Sequence, residues 1–101
     1  MTMSIKEYAK KVTGKKIGEI FMFTLSTCVW CMKTKKFLKD LGIKYSYIDV
    51  DLLDEQGLKD IDKEFSHWNP KHSFPTIVIN NERSILGFQE EEIRKFAENG
   101  K

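Results

Sequence analysis

The chain has 101 residues, 41% hydrophobic and 32% charged, and a net charge of +2. That length fits one domain with one core. The near-neutral balance leaves no charge excess for nucleic acid, because the lysines at 10–16 and 33–39 are offset by acidic stretches at 49–64 and 90–92. Residues 1–18 hold no apolar h-region of a signal peptide. The longest apolar stretch, Ile20–Met32, is broken by Thr24, Ser26 and Thr27 and falls short of the ~20 residues that cross a bilayer. The expectation is a cytoplasmic monomer with neither membrane nor nucleic-acid partners.

In chain order, Ser4-Ile5-Lys6-Glu7 reads as a capping box, followed by Tyr8, Ala9 and Val12 at helical spacing and a stop at Gly14. Residues 1–17 are therefore expected to be an N-terminal amphipathic helix, with the main domain over 18–101. Ile20–Leu25 is apolar without alternation, as in a strand covered on both faces. Phe37, Leu38 and Leu41 mark a lysine-rich helix that ends at Gly42, and "KYSYIDV" (44–50) reads as a second strand. Leu58, Ile61 and Phe65 predict the buried stripe of a second long helix. "FPTIVI" (74–79) opens on a proline, where a missing N–H is tolerated. Asn80-Asn81 suits a hairpin turn, so Arg83–Leu86 returns antiparallel. The last helix begins near Gln89, its glutamates 90–92 at the positive end of the dipole. This order predicts an α/β fold with a four-stranded mixed sheet, helices on both faces and an extra N-terminal helix.

The only two cysteines, Cys28 and Cys31, stand three positions apart where the first buried strand meets a helix. Unpaired N–H groups and the helix dipole there favour thiolate; a free thiol titrates near 8.5, and ~3.5–7.5 occurs in such settings. Cys31 lies one turn deeper on the same face. The pair thus reads as a nucleophile and a resolver, the asymmetry that thiol–disulfide exchange needs. A purely structural disulfide closing so short a loop contributes only about 2 kcal/mol before strain.

Two other readings stand beside it. His67 and His72, with Cys28 and Cys31, formally make a two-cysteine, two-histidine zinc set. However, 35 residues separate Cys31 from His67, whereas small zinc fingers use about a dozen, and Asn69-Pro70 interrupts the histidine half. The other alternative is a non-catalytic adaptor that keeps the redox fold.

"STCVWC" at the end of a strand, the helix after it and "SFPTIVIN" opening a hairpin resemble the glutaredoxin branch of the thioredoxin superfamily, over about residues 18–98. The resemblance implies a thioredoxin fold and a dithiol oxidoreductase with catalytic Cys28 and Cys31. It also implies a cis Phe74–Pro75 bond and a substrate or glutathione site formed by Thr27, Val29, Trp30, Phe74, Pro75, Thr76, Gly87, Phe88 and Gln89. The resemblance implies no bound cofactor, and recharging by glutathione or another small thiol as co-substrate or by a thioredoxin-reductase-type enzyme. The partners it implies are disulfide-containing proteins, ribonucleotide reductase among the types, and a reductase or glutathione. The sequence departs from the family where Val29 replaces the usual proline, where "LGFQEEE" replaces the glycine-rich turn for the glutathione carboxylate, and where "FTLST" lacks a basic residue. Gly87-Phe88 looks more like the glutaredoxin-like proteins recharged by thioredoxin reductase.

Overall fold

The computed structural model describes residues 5–71 and 73–99. Its elements are α1 (Ile5–Tyr8), β1 (Lys10–Val12), β2 (Ile20–Thr24), α2 (Val29–Asp40), β3 (Tyr45–Asp49), a 3-10 turn (Val50–Leu52), α3 (Glu55–Trp68), β4 (Thr76–Ile79), β5 (Arg83–Leu86) and α4 (Glu90–Asn99). They form one sheet in the order β1-β3-β2-β4-β5. β2 and β3 are parallel, joined through α2, and the other named strands pair antiparallel.

The unbroken apolar run of β2 has a direct cause. Ile20 and Met22 enter a cluster with Leu38 of α2, Ile77 and Ile79 of β4 and Ile93 of α4. Phe21 and Phe23 point the other way, toward Ile61 and Phe65 of α3 and Val78, with the Phe23 and Phe65 rings stacked at 4.7 Å. A strand clamped between two layers has no face left for polar residues. The helices thus cover both faces, as expected for a thioredoxin fold.

Local signals end each element. α2 closes with a Schellman motif in which Gly42, at φ 73°, allows Gly42 N–H to reach Lys39 O and Ile43 N–H to reach Leu38 O. Asp54 caps α3 by accepting the Gly57 N–H at 2.8 Å. Asn80 and Asn81 take φ of 53° and 55°, and Glu82 N–H closes the turn onto Ile79 O at 3.0 Å. Ile61 and Phe65 are buried as expected, whereas Leu58 is 42% exposed, its place on the inner face taken by Gly57.

The N-terminal segment departs from expectation. Helix covers only Ile5–Tyr8, and Ser4 lies outside the described residues. Lys10–Val12 instead pair antiparallel with Tyr45–Tyr47, giving five strands rather than four. Tyr8 packs on the α3 side of the sheet and Val12 on the α2–α4 side, so no single helical stripe joins them. The reason is tertiary: the open edge of β3 offers unpaired N–H and C=O groups that a short strand satisfies and a helix cannot. Gly14 is not a helix stop but a point of close approach. Lys15 N–H bonds Gly42 O at 2.7 Å and Lys44 N–H bonds Lys15 O at 2.9 Å.

A Cβ on Gly14 would lie 2.7–2.8 Å from backbone atoms of Gly42, Ile43 and Lys44. Gly14→Ala is therefore expected to cost about 1–3 kcal/mol, read as a lowered urea midpoint. An unchanged midpoint would show that the segment can shift away freely.

Candidate active site

Four segments meet at the carboxyl ends of β2 and β3, the end of an open α/β sheet where ligands bind. Thr24 pairs with Asp49, and Phe23 with Thr76, which in turn pairs with Leu86. The cysteine loop after Thr24, the Asp49–Leu52 turn, the Phe74–Pro75 bond before Thr76 and the Gly87–Phe88 turn after Leu86 are thereby neighbours.

Cys28 is the N-cap of α2, in extended backbone (φ −82°, ψ 117°), and its Sγ accepts the Cys31 N–H at 3.2 Å. It is half-buried, whereas Cys31, one turn in, is fully buried. Both are free thiols. Burial pushes the Cys31 thiol up to about 12, and its contacts with Cys28 act the same way, opposed by the Leu25 backbone and the charge of Lys35. The two sulfurs of one motif are thus unequal in access and in chemistry.

The loop before Cys28 is tied down. Ser26 donates its N–H to one oxygen of Asp51 at 2.8 Å and its hydroxyl to the other, while Cys28 N–H returns to Leu25 O at 3.2 Å. The Ser26 bonds hold the Asp51 carboxyl below the usual carboxylate range. Beneath the loop, Thr24 and Lys35 share the Asp49 carboxylate at 2.7 and 2.9 Å.

The expected site residues divide into several roles. Thr27 is exposed beside Cys28; Val29 and Trp30 are 58% and 55% exposed on the first turn of α2. Trp30 meets Phe88 at 6.2 Å between ring centroids, Phe88 meets Phe37 edge-on at 5.6 Å, and Lys33 Nζ stands 4.6 Å above Trp30. The structure therefore brings Trp30 and Gly87–Phe88 together. The Phe74–Pro75 bond is cis and Pro75 is buried. The Phe74 ring packs on Phe65 at 5.2 Å, so its side chain belongs to the core. Thr76 is buried too, its hydroxyl donating to Ser73 O at 2.9 Å. Gly87 takes φ 80°, which favours glycine, and donates its N–H to Pro75 O at 2.8 Å. Gln89 is exposed and its amide donates back to Leu86 O at 2.9 Å.

Of the zinc alternative, His67 is exposed on α3 with its ring edge-on to Trp68 at 4.7 Å, and His72 lies outside the described residues. Among the described residues, no three His, Cys, Asp or Glu side chains converge as a metal-holding group.

Three positioning groups escaped the sequence reading: Ser26–Asp51, Lys35–Asp49 and Asn69. Asn69, fully buried at the end of α3, donates its amide to Ser73 O, Ser73 Oγ and Thr76 Oγ1 at 2.8–2.9 Å and accepts Lys71 N–H at 3.1 Å. This one side chain organises the loop that leads into Pro75. The available signal was an asparagine directly before a proline at a helix end.

A five-stranded sheet layered with helices, a CxxC pair at a helix start and a cis proline at the neighbouring strand define a thioredoxin-fold protein with a thiol centre. Comparison with known proteins narrows the class. A profile of the Glutaredoxin family matches residues 20–84. The glutaredoxin of Methanosarcina mazei Go1 is 44% identical and superposes with a TM-score of 0.80 over 89% of this chain and 87% of that one. Methanosarcina acetivorans methanoredoxin is 49% identical, with a TM-score of 0.79 over 83% and 88%. A glutaredoxin-like 8.6 kDa protein in a rubredoxin operon of Clostridium pasteurianum is 32% identical over 79 residues, 78% of this chain and 97% of that protein. The chain belongs to the glutaredoxin family.

Two outcomes test this geometry. Asn69→Ala leaves buried polar partners unmatched and should cost about 1–3 kcal/mol in urea denaturation; wild-type stability would contradict the role given to Asn69. Because the Asp51 carboxyl is depressed in the folded state, its contribution is present above the unfolded value of about 3.9 and is lost as pH falls through the lower folded value. Amide exchange at Ser26 should stay protected from pH 7 to below pH 4, and should be unprotected at pH 7 in Asp51→Ala.

Proposed function

We propose that this protein is a dithiol thiol–disulfide oxidoreductase that reduces disulfide-containing proteins and small disulfides through Cys28 and Cys31. The observation that carries the reading is the inequality of the two thiols: one half-exposed at a helix start, the other sealed one turn behind it. Cys28, as thiolate, attacks one sulfur of the substrate disulfide; the other leaves as a thiolate and takes a proton. Cys31 then loses its proton and attacks Cys28 Sγ. The second substrate thiol departs, and a Cys28–Cys31 disulfide holds the oxidising equivalents. The substrate gains two electrons and two protons, and the cysteine pair supplies them.

In this reading Trp30, Phe88 and Val29 border the entrance, and the backbone around Phe74, Pro75 and Thr76 orients the substrate chain. The location is the cytoplasm, where cysteine pairs serve catalysis more often than structure. No helix among the described residues is long and apolar enough to cross a membrane.

The recharging partner we favour is a thioredoxin-reductase-type enzyme. α4 opens with Glu90, Glu91 and Glu92; Arg94 and Arg83 pair with the first and third at 3.7 Å, so the cluster keeps a residual negative charge that opposes a carboxylate docking on the helix dipole. The Gln89 amide gives one of its two N–H groups to Leu86 O at 2.9 Å, leaving a single one to compensate. Both features disfavour glutathione.

Reduction of a small disulfide is followed through NADPH loss with two parallel systems, glutathione with its reductase and thioredoxin reductase. Turnover is expected with the latter; turnover only with glutathione overturns the choice of partner. Cys28→Ser should abolish turnover in either system, and full activity there would overturn the mechanism. Cys31→Ser should keep only exchange in which a second thiol from solution resolves the mixed disulfide.

A further inference from the structure

The proposed cycle leaves one chemical difficulty. Cys31 must become a thiolate while fully buried, and burial opposes that charge. A cation placed near it would answer the difficulty. Lys35 follows Cys31 by four residues on α2, the spacing that stacks side chains on one helix face.

Lys35 is not an ordinary surface lysine. Its Nζ lies 2.9 Å from Asp49 Oδ1 and 4.0 Å from the centroid of the Tyr47 ring, and the two charged side chains are only 20% and 9% exposed. Asp49 is itself fixed, since Thr24 Oγ1 reaches Asp49 Oδ1 at 2.7 Å and Ile48 O at 3.0 Å. Thr24 ends β2, next to Leu25 and the cysteine loop. A partly buried ion pair built from a central strand, its parallel neighbour and the catalytic helix is costly to desolvate and adds little stability by itself. The other lysine–carboxylate pair on α2, Lys36–Asp40, is solvent-exposed, as such pairs usually are.

We infer that Lys35, held in place by Asp49, is a positioning residue for the resolving step: its charge stabilises the Cys31 thiolate as that sulfur turns on the Cys28 mixed disulfide. This rests on the dithiol reading above. The bond that forms is Cys31 Sγ–Cys28 Sγ, the bond that breaks joins Cys28 to the substrate sulfur, and the proton from Cys31 is matched by the one the departing thiolate takes up. The charged and titratable groups that face this pair are Cys28 at the head of α2, Asp49, Tyr45 and Tyr47 of β3, and Asp51 in the following turn. α4, packed against α2, presents Arg94, which lies over Phe37 at 5.2 Å.

The charges make a prediction that a purely structural role does not. Removing Lys35 leaves Asp49 negative and unpaired, which opposes the Cys31 thiolate; neutralising Asp49 leaves Lys35 uncompensated, which favours it. The reduced chain is mixed with dithiobis(nitrobenzoate) in a stopped-flow instrument between pH 5 and 10. The first absorbance phase reports attack by Cys28 and the second reports resolution by Cys31. In Lys35→Met the second phase should slow about tenfold relative to the first across this range, because the Cys31 thiolate is the minor form throughout and raising its pKa by about one unit is a tenfold loss of it. In Asp49→Asn the second phase should speed up, and Lys35→Arg should stay close to the native profile. If Lys35→Met does not fold, Lys35→Gln, which is polar but uncharged, provides the same comparison. A second-phase rate that Lys35→Met leaves unchanged relative to the first phase, or that both variants move in the same direction, overturns the inference. A native chain with no second phase overturns the dithiol reading, and the role of Lys35 with it.

Discussion

Everything at the thiol centre depends on how the end of β2 is held. The strand is buried on both faces and paired on both edges, so it delivers Leu25 to one place and leaves no room to slide. From there the chain reaches Cys28 in three residues, with Ser26 clamped by Asp51 and the Cys28 N–H returned to Leu25 O. α2 then starts at a fixed point, which makes Cys28 its cap and Cys31 a core residue. A cysteine pair on a free loop would have two similar thiols. Here the fold itself makes them different.

The same constraint gathers the other segments. Because β4 runs antiparallel to β2 in register Phe23↔Thr76, the cis Phe74–Pro75 bond must lie beside the cysteine loop. Because β5 runs antiparallel to β4, Gly87 and Phe88 follow at the same end, and Gly87 N–H is bonded to Pro75 O. The aromatic contacts from Trp30 through Phe88 to Phe37 then join the first turn of α2 to that loop. The fold thus provides a half-exposed thiol, a neighbouring backbone and an apolar border without any element that serves the site alone.

Much of this was legible in the sequence because the signals are local. The strand-to-helix switch around Cys28, the glycine after α2, the two asparagines of the hairpin and the glutamates opening α4 each act within a few residues. What the sequence hid acts at a distance. Asp51 meets Ser26 across 25 residues, Thr24 meets Asp49 across 25, and Lys35 meets Asp49 across 14. Asp49 and Asp51 read equally well as solvent-facing charges until strand pairing sets them against the cysteine loop. Lys10–Val12 failed for a related reason: three residues carry too little pattern to separate a helical turn from a strand, and the open edge of β3 decides. Leu58 matched the helical period but not the core, because Gly57 is the residue that fits against Tyr8 of α1 and Leu53.

The central claim is that the two cysteines differ, with Cys28 the nucleophile and Cys31 shielded behind it. The most direct measurement is alkylation of the reduced, folded chain with less than one equivalent of iodoacetamide at pH 7, followed by peptide mapping by mass spectrometry. The label should sit on Cys28, with Cys31 modified only after the chain is unfolded. Equal labelling of the two, or labelling of Cys31 first in the folded chain, would contradict the account.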